Sequence, residues 1–437
     1  MPSPNCYLRK MSKQKEGGWF TPRTYNHFDY PLTFAAAEKL ACSPALVAAH
    51  QFLPLIGYTD KKRRFRTDNS DRTIPRKLRP KLASTKRREI RYASHSDAAI
   101  LQYYAYLISD PYEAFLKQVN LDTSVIGYRK GMGSNVDMAA EAFSEIVVRG
   151  NVTAFCFDIE DFFPSIEHRS LKSGLELILG CKNLPDDWYK IYRFVTKFSW
   201  IEFEKLAEVE GFDPRNPPFP LVGKINPALD RCRDAQLINI NRMRSGIPQG
   251  TPISAVAANI AMIDFDCRLA EKVNEIGGSY RRYSDDILIL VHPDSDSSIE
   301  KFVNNEASRC GLKINLGKTE ISRFKLANGV QQSDRAIAYL GFCFDGSKTY
   351  LRPSTLSRYY RRMTYAARGA VRGSGKKGRT AAETFKRKLI SEFTHLGKRN
   401  FYSYSKRAHQ KLPKSIVKRQ LRRHFVILLR KVLAKGK

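Results

Sequence analysis

Three aspartates have the neighbours that phosphoryl chemistry needs. Asp158 closes the apolar run Val152–Asp158 (VTAFCFD), and Asp285 and Asp286 lie within RRYSDDILILV, residues 281–291. The first run reads as a buried strand whose last residue is acidic. The second reads as two strands pinched at Ser284-Asp285-Asp286, so that two carboxylates project from a tight turn. Carboxylates at strand ends facing an open cleft suit magnesium, which takes oxygen ligands and commonly binds one or two carboxylates together with substrate phosphates. A pair of such ions about 3.5 to 4 Å apart stabilises both the attacking and the departing oxygen of an in-line displacement at phosphorus. Each signal alone also has a plain structural explanation. An aspartate ending a strand caps or turns the chain, and an Asp-Asp pair serves as a solvated turn.

The elements around these residues can be read coarsely. Before the first strand, a helix is expected around Leu32–Leu55, and Ala98–Ile108 (AAILQYYAYLI) reads as a buried helix stopped hard at Asp110-Pro111. GYRKGMG, residues 127–133, is a flexible cationic loop suited to phosphates. Residues 171–243 form a polar, mixed stretch whose PRNPPFP (214–220) is too proline-rich for regular structure, and no chemistry attaches to it. GSGKKG (373–378) reads as a linker. Beyond it Val417, Leu421, Phe425, Leu428 and Val432 fall at helical spacing with a basic face opposite.

Charge narrows the partner. Of the net +32 over 437 residues, Asp60–Arg91 holds 14 Lys or Arg against 4 acids, and Arg352–Lys437 holds 26 against 2. Two basic blocks flanking a nearly neutral centre suggest surfaces that grip a polyanion, nucleic acid above all, with a basic membrane-facing surface as the alternative. The 8 cysteines show no paired spacing and the 8 histidines no ligand-like couples, which argues against a zinc site or a disulfide framework. With no signal pattern and no apolar run of membrane-spanning length, a cytoplasmic protein with reduced thiols is the expectation.

Order along the chain adds specificity. FDIEDFFPSI (157–166), GIPQGTPIS (246–254), YSDD (283–286), GLKINLGKTEI (311–321) and YLGFCF (339–344) resemble the successive palm motifs of reverse transcriptases, in the same order. The similarity runs from about Lys81 onward, and RPSTLSRYYRRM (352–363) with Asn400–Arg407 resembles the thumb of the bacterial branch. The resemblance implies an α+β right-hand polymerase of fingers, a palm with an antiparallel sheet, and a helical thumb. Residues 1–150 would form an N-terminal extension and fingers, 151–350 the palm with an insertion at about 171–243, and 351–437 the basic thumb.

The resemblance also assigns roles. Asp158, Asp285 and Asp286 would hold two Mg2+ ions. Phe163 would be the aromatic beneath the incoming sugar, whose ring collides with a ribose 2′-hydroxyl and favours deoxynucleotides; the plain alternative is that Phe162 and Phe163 are core. Gln249 would touch the incoming nucleotide, and the small residues Ser254, Ala255, Ala257 and Ala258 would let a template approach, unless they simply pack a helix. Lys318 could protonate the leaving pyrophosphate. Lys81 and Arg88 would clamp the triphosphate, and Tyr339–Phe344 would hold the primer terminus.

Subtype is read by elimination. The Asn-Ala-x-x-His and Val-Thr-Gly strings of retron enzymes do not occur, nor do the cysteine and histidine clusters of group II intron endonucleases or the acids of a ribonuclease H domain. What remains resembles the compact defence-associated bacterial enzymes. That group implies a partner non-coding RNA as scaffold and template, deoxynucleoside triphosphates as substrates, an RNA–DNA duplex as product, and a role against phage. The alternatives are untemplated DNA synthesis as in abortive-infection relatives, a retron or group II intron-like enzyme, an idle RNA-binding factor, and an RNA-dependent RNA polymerase, which Phe163 disfavours.

Overall fold

The computed structural model describes residues 18–67, 81–295, 297–376, 387–421 and 427. Among them the strands run β1 (Leu55–Thr67), β2 (Lys81–Tyr92), β3 (Val152–Asp158), β4 (Ser199–Glu202), β5 (Asn239–Ile240) and β6 (Ser279–Tyr283). Then follow β7 (Asp286–Val291), β8 (Glu320–Ala327), β9 (Val330–Ser333), β10 (Ile337–Tyr339), β11 (Phe342–Phe344) and β12 (Thr349–Leu351). The chain forms two compact units. The first comprises Met1–Asp122, Glu160–Cys267 and Ala307–Leu312, the second Thr123–Ile159, Arg268–Glu306 and Lys313–Lys437.

The second unit holds a five-stranded sheet of order β6-β7-β3-β8-β9, antiparallel throughout. Alternate residues of a strand share a face, and Val152 and Ala154 of β3, Leu288 and Leu290 of β7 and Phe324 of β8 join one buried cluster. Helix Asn135–Arg149 contributes Met138, Ala139, Ala142, Phe143 and Ile146 to it, and the three-stranded sheet β10-β11-β12 contributes Phe342, Phe344 and Leu351. Phe344 stacks on both Phe143 (5.4 Å) and Phe324 (5.7 Å), so the two sheets share one aromatic seam. GSGKKG is not a linker at its start. Helix Pro353–Gly375 runs through Gly369 and Gly373 because Tyr359, Met363 and Ala367, one helical turn apart, are buried in a core with Leu389 and Phe393. Lys377 and Gly378 lie outside the described residues. Of the C-terminal stripe, Val417 and Leu421 are buried as expected; Phe425, Leu428 and Val432 lie outside the described residues.

The first unit is built on a sheet of order β2-β1-β4-β5, in which β1 pairs antiparallel with β2 and parallel with β4. Its core gathers Phe28, Ile56, Ile201, Leu206, Leu221 and Leu229. Pro111 does not stop the helix around Ala98–Ile108. That helix runs His95–Gln118 with the proline inside it. An interior proline forfeits one backbone bond at a cost of about 3 kcal/mol, but Tyr112 and Leu116 beyond it are buried, and their packing outweighs the loss. The single helix expected around Leu32–Leu55 is two, Phe34–Ala41 and Pro44–Ala49. Ser43 caps the second and Pro44 opens it, the position where a proline costs a helix least. Residues 171–243 are more regular than the sequence suggested, holding helices His168–Leu179, Asp186–Thr196, Phe203–Glu210 and Ile225–Asp234. PRNPPFP stays irregular, as expected. No helix among the described residues is long and apolar enough to cross a membrane.

Candidate active site

Strand register brings the three aspartates together in the second unit. Asp158, the last residue of β3, stands opposite Asp286, the first residue of β7. Asp286 also faces Tyr283 across the two-residue turn Ser284-Asp285 that joins β6 to β7. Ser284 has φ +60°, the left-handed backbone that primed hairpin turns require at their first corner. The Ile159 N–H donates to the Asp285 carbonyl (3.0 Å) and the Asn315 N–H to the Asp158 carbonyl (2.8 Å), which ties all three segments at one sheet edge. Lys318 follows Asn315 in a turn closed by its own N–H on the Asn315 carbonyl (2.9 Å), and its ammonium donates to Asp158 Oδ2.

Gly127 and Arg282, without a role in the sequence reading, hold this turn from behind. A Cβ at Gly127 would meet Ser284 N at 2.9 Å and Tyr283 Cα at 3.0 Å, so only glycine lets the GYRKGMG segment press against the turn. Arg282 is fully buried, and its Nη1 donates to the Ser284 carbonyl (3.3 Å). Its backbone bonds Ser124 and Ile126 (2.8 and 3.0 Å). The contacts of Gly127 with the turn and of the Arg282 backbone with Ser124 and Ile126 join residues far apart in sequence, and the local sign was a glycine opening a basic loop.

The electrostatics of the edge favour a cation. The Asp286 carboxyl is pushed up to about 7, first by the protein crowded around it and then by the charges of Asp285 and Asp158, while Arg352 and Lys318 pull the other way. Its own surface nevertheless faces open space, so water and ions reach it. Carboxylates whose charges crowd Asp286 are a donor set that a divalent cation satisfies, and oxygen-only donors are what magnesium takes. The residues present therefore fit magnesium by type and backbone position. With the side chains as they stand, no group of three or more His, Cys, Asp or Glu among the described residues is gathered closely enough to hold an ion. At Asp158 one carboxylate oxygen accepts from Lys318.

A cleft of about 630 Å3 opens beside Asp286, lined among others by Tyr128, Arg129, Tyr283, Tyr339, Leu340 and Arg352. The β10–β11 hairpin forms one wall; Leu340 and Gly341 at its turn both have positive φ. Asn135 anchors that turn by donating to the Leu340 carbonyl (3.1 Å) and to the Tyr404 hydroxyl (3.0 Å). Arg352 was missed by sequence reasoning, being one cation among 26 in its block.

The remaining sequence-predicted residues lie in the first unit. Phe163 is half-buried, beside the buried Phe162, and its carbonyl accepts from the Ile247 N–H (3.0 Å). Gln249 is half-exposed in its turn, and its carbonyl accepts from the Arg91 N–H (2.8 Å). Gly250 has φ +126°, and a Cβ there would meet the Arg91 carbonyl at 2.7 Å, so the turn lies directly against β2. Phe163 and Gln249 are thus joined through one loop, and Arg91 joins them, its guanidinium over the Trp200 ring at 4.1 Å. Arg88 is half-exposed further along β2, paired in register with Asp60. Lys81 opens β2, and its side chain lies outside the described residues. Ser254, Ala257 and Ala258 are buried, so their smallness serves packing: the helices Ser254–Ala261 and His168–Leu179 approach so closely that a Cβ at Gly174 would meet the Ile260 carbonyl at 2.6 Å.

Comparison with known proteins agrees with this arrangement. Residues 111–344, more than half the chain, match the sequence pattern of the family described as Reverse transcriptase (RNA-dependent DNA polymerase). A search of curated proteins gave no match. Among solved structures, apo telomerase from Candida tropicalis matches at 12% identity over 79% of this chain and 60% of its own, with a TM-score of 0.38. A form of that telomerase truncated from its C-terminal domain matches at 11% identity over 72% of this chain, with a TM-score of 0.35, and this chain spans 59% of its length. The RNA-dependent RNA polymerase of a human picorbirnavirus matches at 11% identity over 60% of this chain and 40% of its own, with a TM-score of 0.36. No TM-score here reaches 0.5, so the family match and the chain's own topology carry the assignment. The antiparallel sheet bears paired carboxylates at a hairpin turn, and the chain belongs to the reverse transcriptase family, with its α+β right-hand polymerase fold.

Proposed function

We propose that the chain is an RNA-directed DNA polymerase that works by a two-metal mechanism. The observation that carries this reading is the register opposing Asp158 to Asp286, with Asp285 in the adjoining turn. Asp158, Asp285 and Asp286 would hold two magnesium ions, which when bound supply charge stabilisation to the attacking hydroxyl and the departing pyrophosphate. Lys318, which donates to Asp158 Oδ2, is the proton donor to the pyrophosphate. Phe163 lies under the sugar and rejects the ribose 2′-hydroxyl, Gln249 positions the incoming deoxynucleoside triphosphate, and Arg88 and Lys81 clamp its phosphates. In this reading residues 1–150 include the fingers, 151–350 the palm and 351–437 the thumb.

We further propose that the template is a partner non-coding RNA, that the product is an RNA–DNA duplex, and that the enzyme acts in anti-phage defence in the cytoplasm. The support is the resemblance of RPSTLSRYYRRM (352–363) and Asn400–Arg407 to the thumb of the bacterial branch. The test is to purify the chain with its bound nucleic acid and sequence that material before and after supplying deoxynucleotides. DNA complementary to the bound RNA is expected. Low-complexity DNA would move the enzyme to the untemplated class, and retained RNA with no new DNA would make it an idle binding factor.

A further inference from the structure

The stretch 171–243, to which no chemistry attached, forms one side of an open cationic groove. It measures about 580 Å3, lies wholly in the first unit, and runs between helix Asp186–Thr196 and the segment 48–53. The helix divides cleanly. Trp188, Ile191, Phe194 and Val195 are buried, and Asp187, also buried, takes the Tyr104 hydroxyl (2.6 Å), so its charge is turned away from the groove. Tyr189, Lys190, Arg193 and, just past the helix, Lys197 line the groove at turn-by-turn spacing.

Three features distinguish this face from an ordinary solvated one. Its lining has three cations and one acid, Asp186, and neither the Lys190 ammonium nor the Arg193 guanidinium has an ion-pair or hydrogen-bond partner among the described residues. Tyr189 is 44% exposed although aromatic, its ring tilted beside Tyr192 at 6.2 Å and the rest of its surface open to a base. The floor is rigid and apolar, with Phe52 stacked on Phe194 at 4.2 Å and 22°. Lys197 donates to the Met243 carbonyl (2.7 Å), which carries the cationic surface on to the exposed Arg242 and Arg244. Arg193, in the last helical turn, also complements the helix dipole, but that accounts for neither Lys190 one turn earlier nor the exposed ring.

Cations that track a backbone, with an aromatic platform between them, are what an unpaired nucleic-acid strand requires. We propose that this groove binds an unpaired RNA strand, with Lys190, Arg193 and Lys197 on its phosphates and Tyr189 under a base. The choice of RNA rests on the polymerase reading: a reverse transcriptase leaves its DNA paired to the template, so the strand left single is RNA.

The experiment uses the full chain and a labelled single-stranded RNA oligonucleotide containing 4-thiouridine, titrated across a salt series. In Lys190→Ala/Arg193→Ala the slope of log affinity against log salt is expected to flatten by about 1.4, two single-strand phosphate contacts at about 0.7 each. Tyr189→Ala is expected to lower affinity about tenfold. Photocross-links should fall on peptides containing Tyr189 or Phe52. An unchanged slope in a double variant with wild-type melting temperature overturns the proposal, as do cross-links confined to other peptides. Tighter binding of single-stranded DNA of the same sequence overturns the assignment to RNA. A chain that cross-links at Tyr189 yet makes no DNA sinks the polymerase reading and leaves the groove standing, whereas DNA synthesis with an unaltered slope sinks the groove alone.

Discussion

In the second unit charge is placed by backbone register, and in the first it is placed by accumulation. Asp158 faces Asp286 because β3 and β7 are paired along their whole length, from Thr153 with Val291 to Asp158 with Asp286. A one-residue slip would turn every side chain of the strand to the other face and expose its core residues. The cations of the first unit crowd instead, even where, as for Arg88 opposite Asp60, register places them. Arg88 lies on a strand whose partner carries Lys61, Lys62 and other bases, and Lys190, Arg193 and Lys197 are spaced only by a helix. An acid placed by register cannot be replaced by its neighbour, whereas a cation within a field can.

That contrast predicts very different sensitivities. Asp285→Ala/Asp286→Ala should give the largest effect. Two metal ions contribute several kcal/mol to the transition state, and at 1.36 kcal/mol per decade their loss lowers kcat by about a thousandfold or more, measured as primer extension. RNA affinity should change less than twofold, since the grip is distributed over the cationic surfaces. Comparable losses in both would erase the contrast. Single alanine replacements of Arg88 or Lys190 are expected to shift affinity only modestly, most visibly at low salt, where phosphate contacts count most.

Glycines offer a sharper version, because close approaches occur in both units. At Gly127 an added Cβ would strike the Ser284-Asp285 turn; at Gly174 it would strike Ile260 between two packed helices. Gly127→Ala should lower kcat about a hundredfold, the scale of a misplacement of about 1 Å near reacting atoms, with a small change in melting temperature. Gly174→Ala should instead cost about 1 to 3 kcal/mol of stability by overpacking while sparing kcat per folded molecule. Denaturant midpoints and active-site-normalised rates would separate the two, and the reverse pattern would show that the turn is not held from behind as described.

Phe163→Ala should act on selectivity rather than rate. Half-buried against Phe162, with rings 5.4 Å apart, the Phe163 ring is firmly seated. Removing it should reduce discrimination between deoxy- and ribonucleotides about tenfold to a hundredfold, the range of a steric gate worth about 1 to 3 kcal/mol. Incorporation ratios with the two triphosphates measure this; an unchanged ratio would return Phe163 to the core.

What the residues disclosed in advance follows the same division. Strand β3 and the turn after Tyr283 were legible because strand pattern, turn chemistry and paired acids agreed within a few residues. Helix His95–Gln118 was misread at Pro111, and helix Pro353–Gly375 at its glycines, because a local breaker was weighed without the core that overrules it. Gly127, Arg282 and Arg91 were not legible at all. Their partners lie about 155, 158 and 158 positions away, and a contact across that separation leaves no local pattern.

The smallest expected effect concerns an ion pair fixed in the manner of the acidic site but left at the surface. Asp137 sits in the first turn of helix Asn135–Arg149, which lines the cleft beside Asp286. Its carboxyl is lowered to about 2, first by the hydrogen bond from Lys411, then by the Ser134 N–H and hydroxyl, both at 2.8 Å. An unfolded aspartate titrates near about 3.9, so the folded state binds this proton more weakly than the unfolded state. The stabilisation is therefore fully present above about pH 4 and is lost as pH falls towards 2. The side chain is 26% exposed, and water screens the pair to roughly 1 kcal/mol or less. Lys411→Met should narrow the margin at pH 5 and leave it nearly unchanged at pH 2.5, read from denaturant midpoints at each pH. A difference that stays constant across that window would mean that Lys411 stabilises by its packed stem, not by its charge, and that position without burial is too weak to make a charge count.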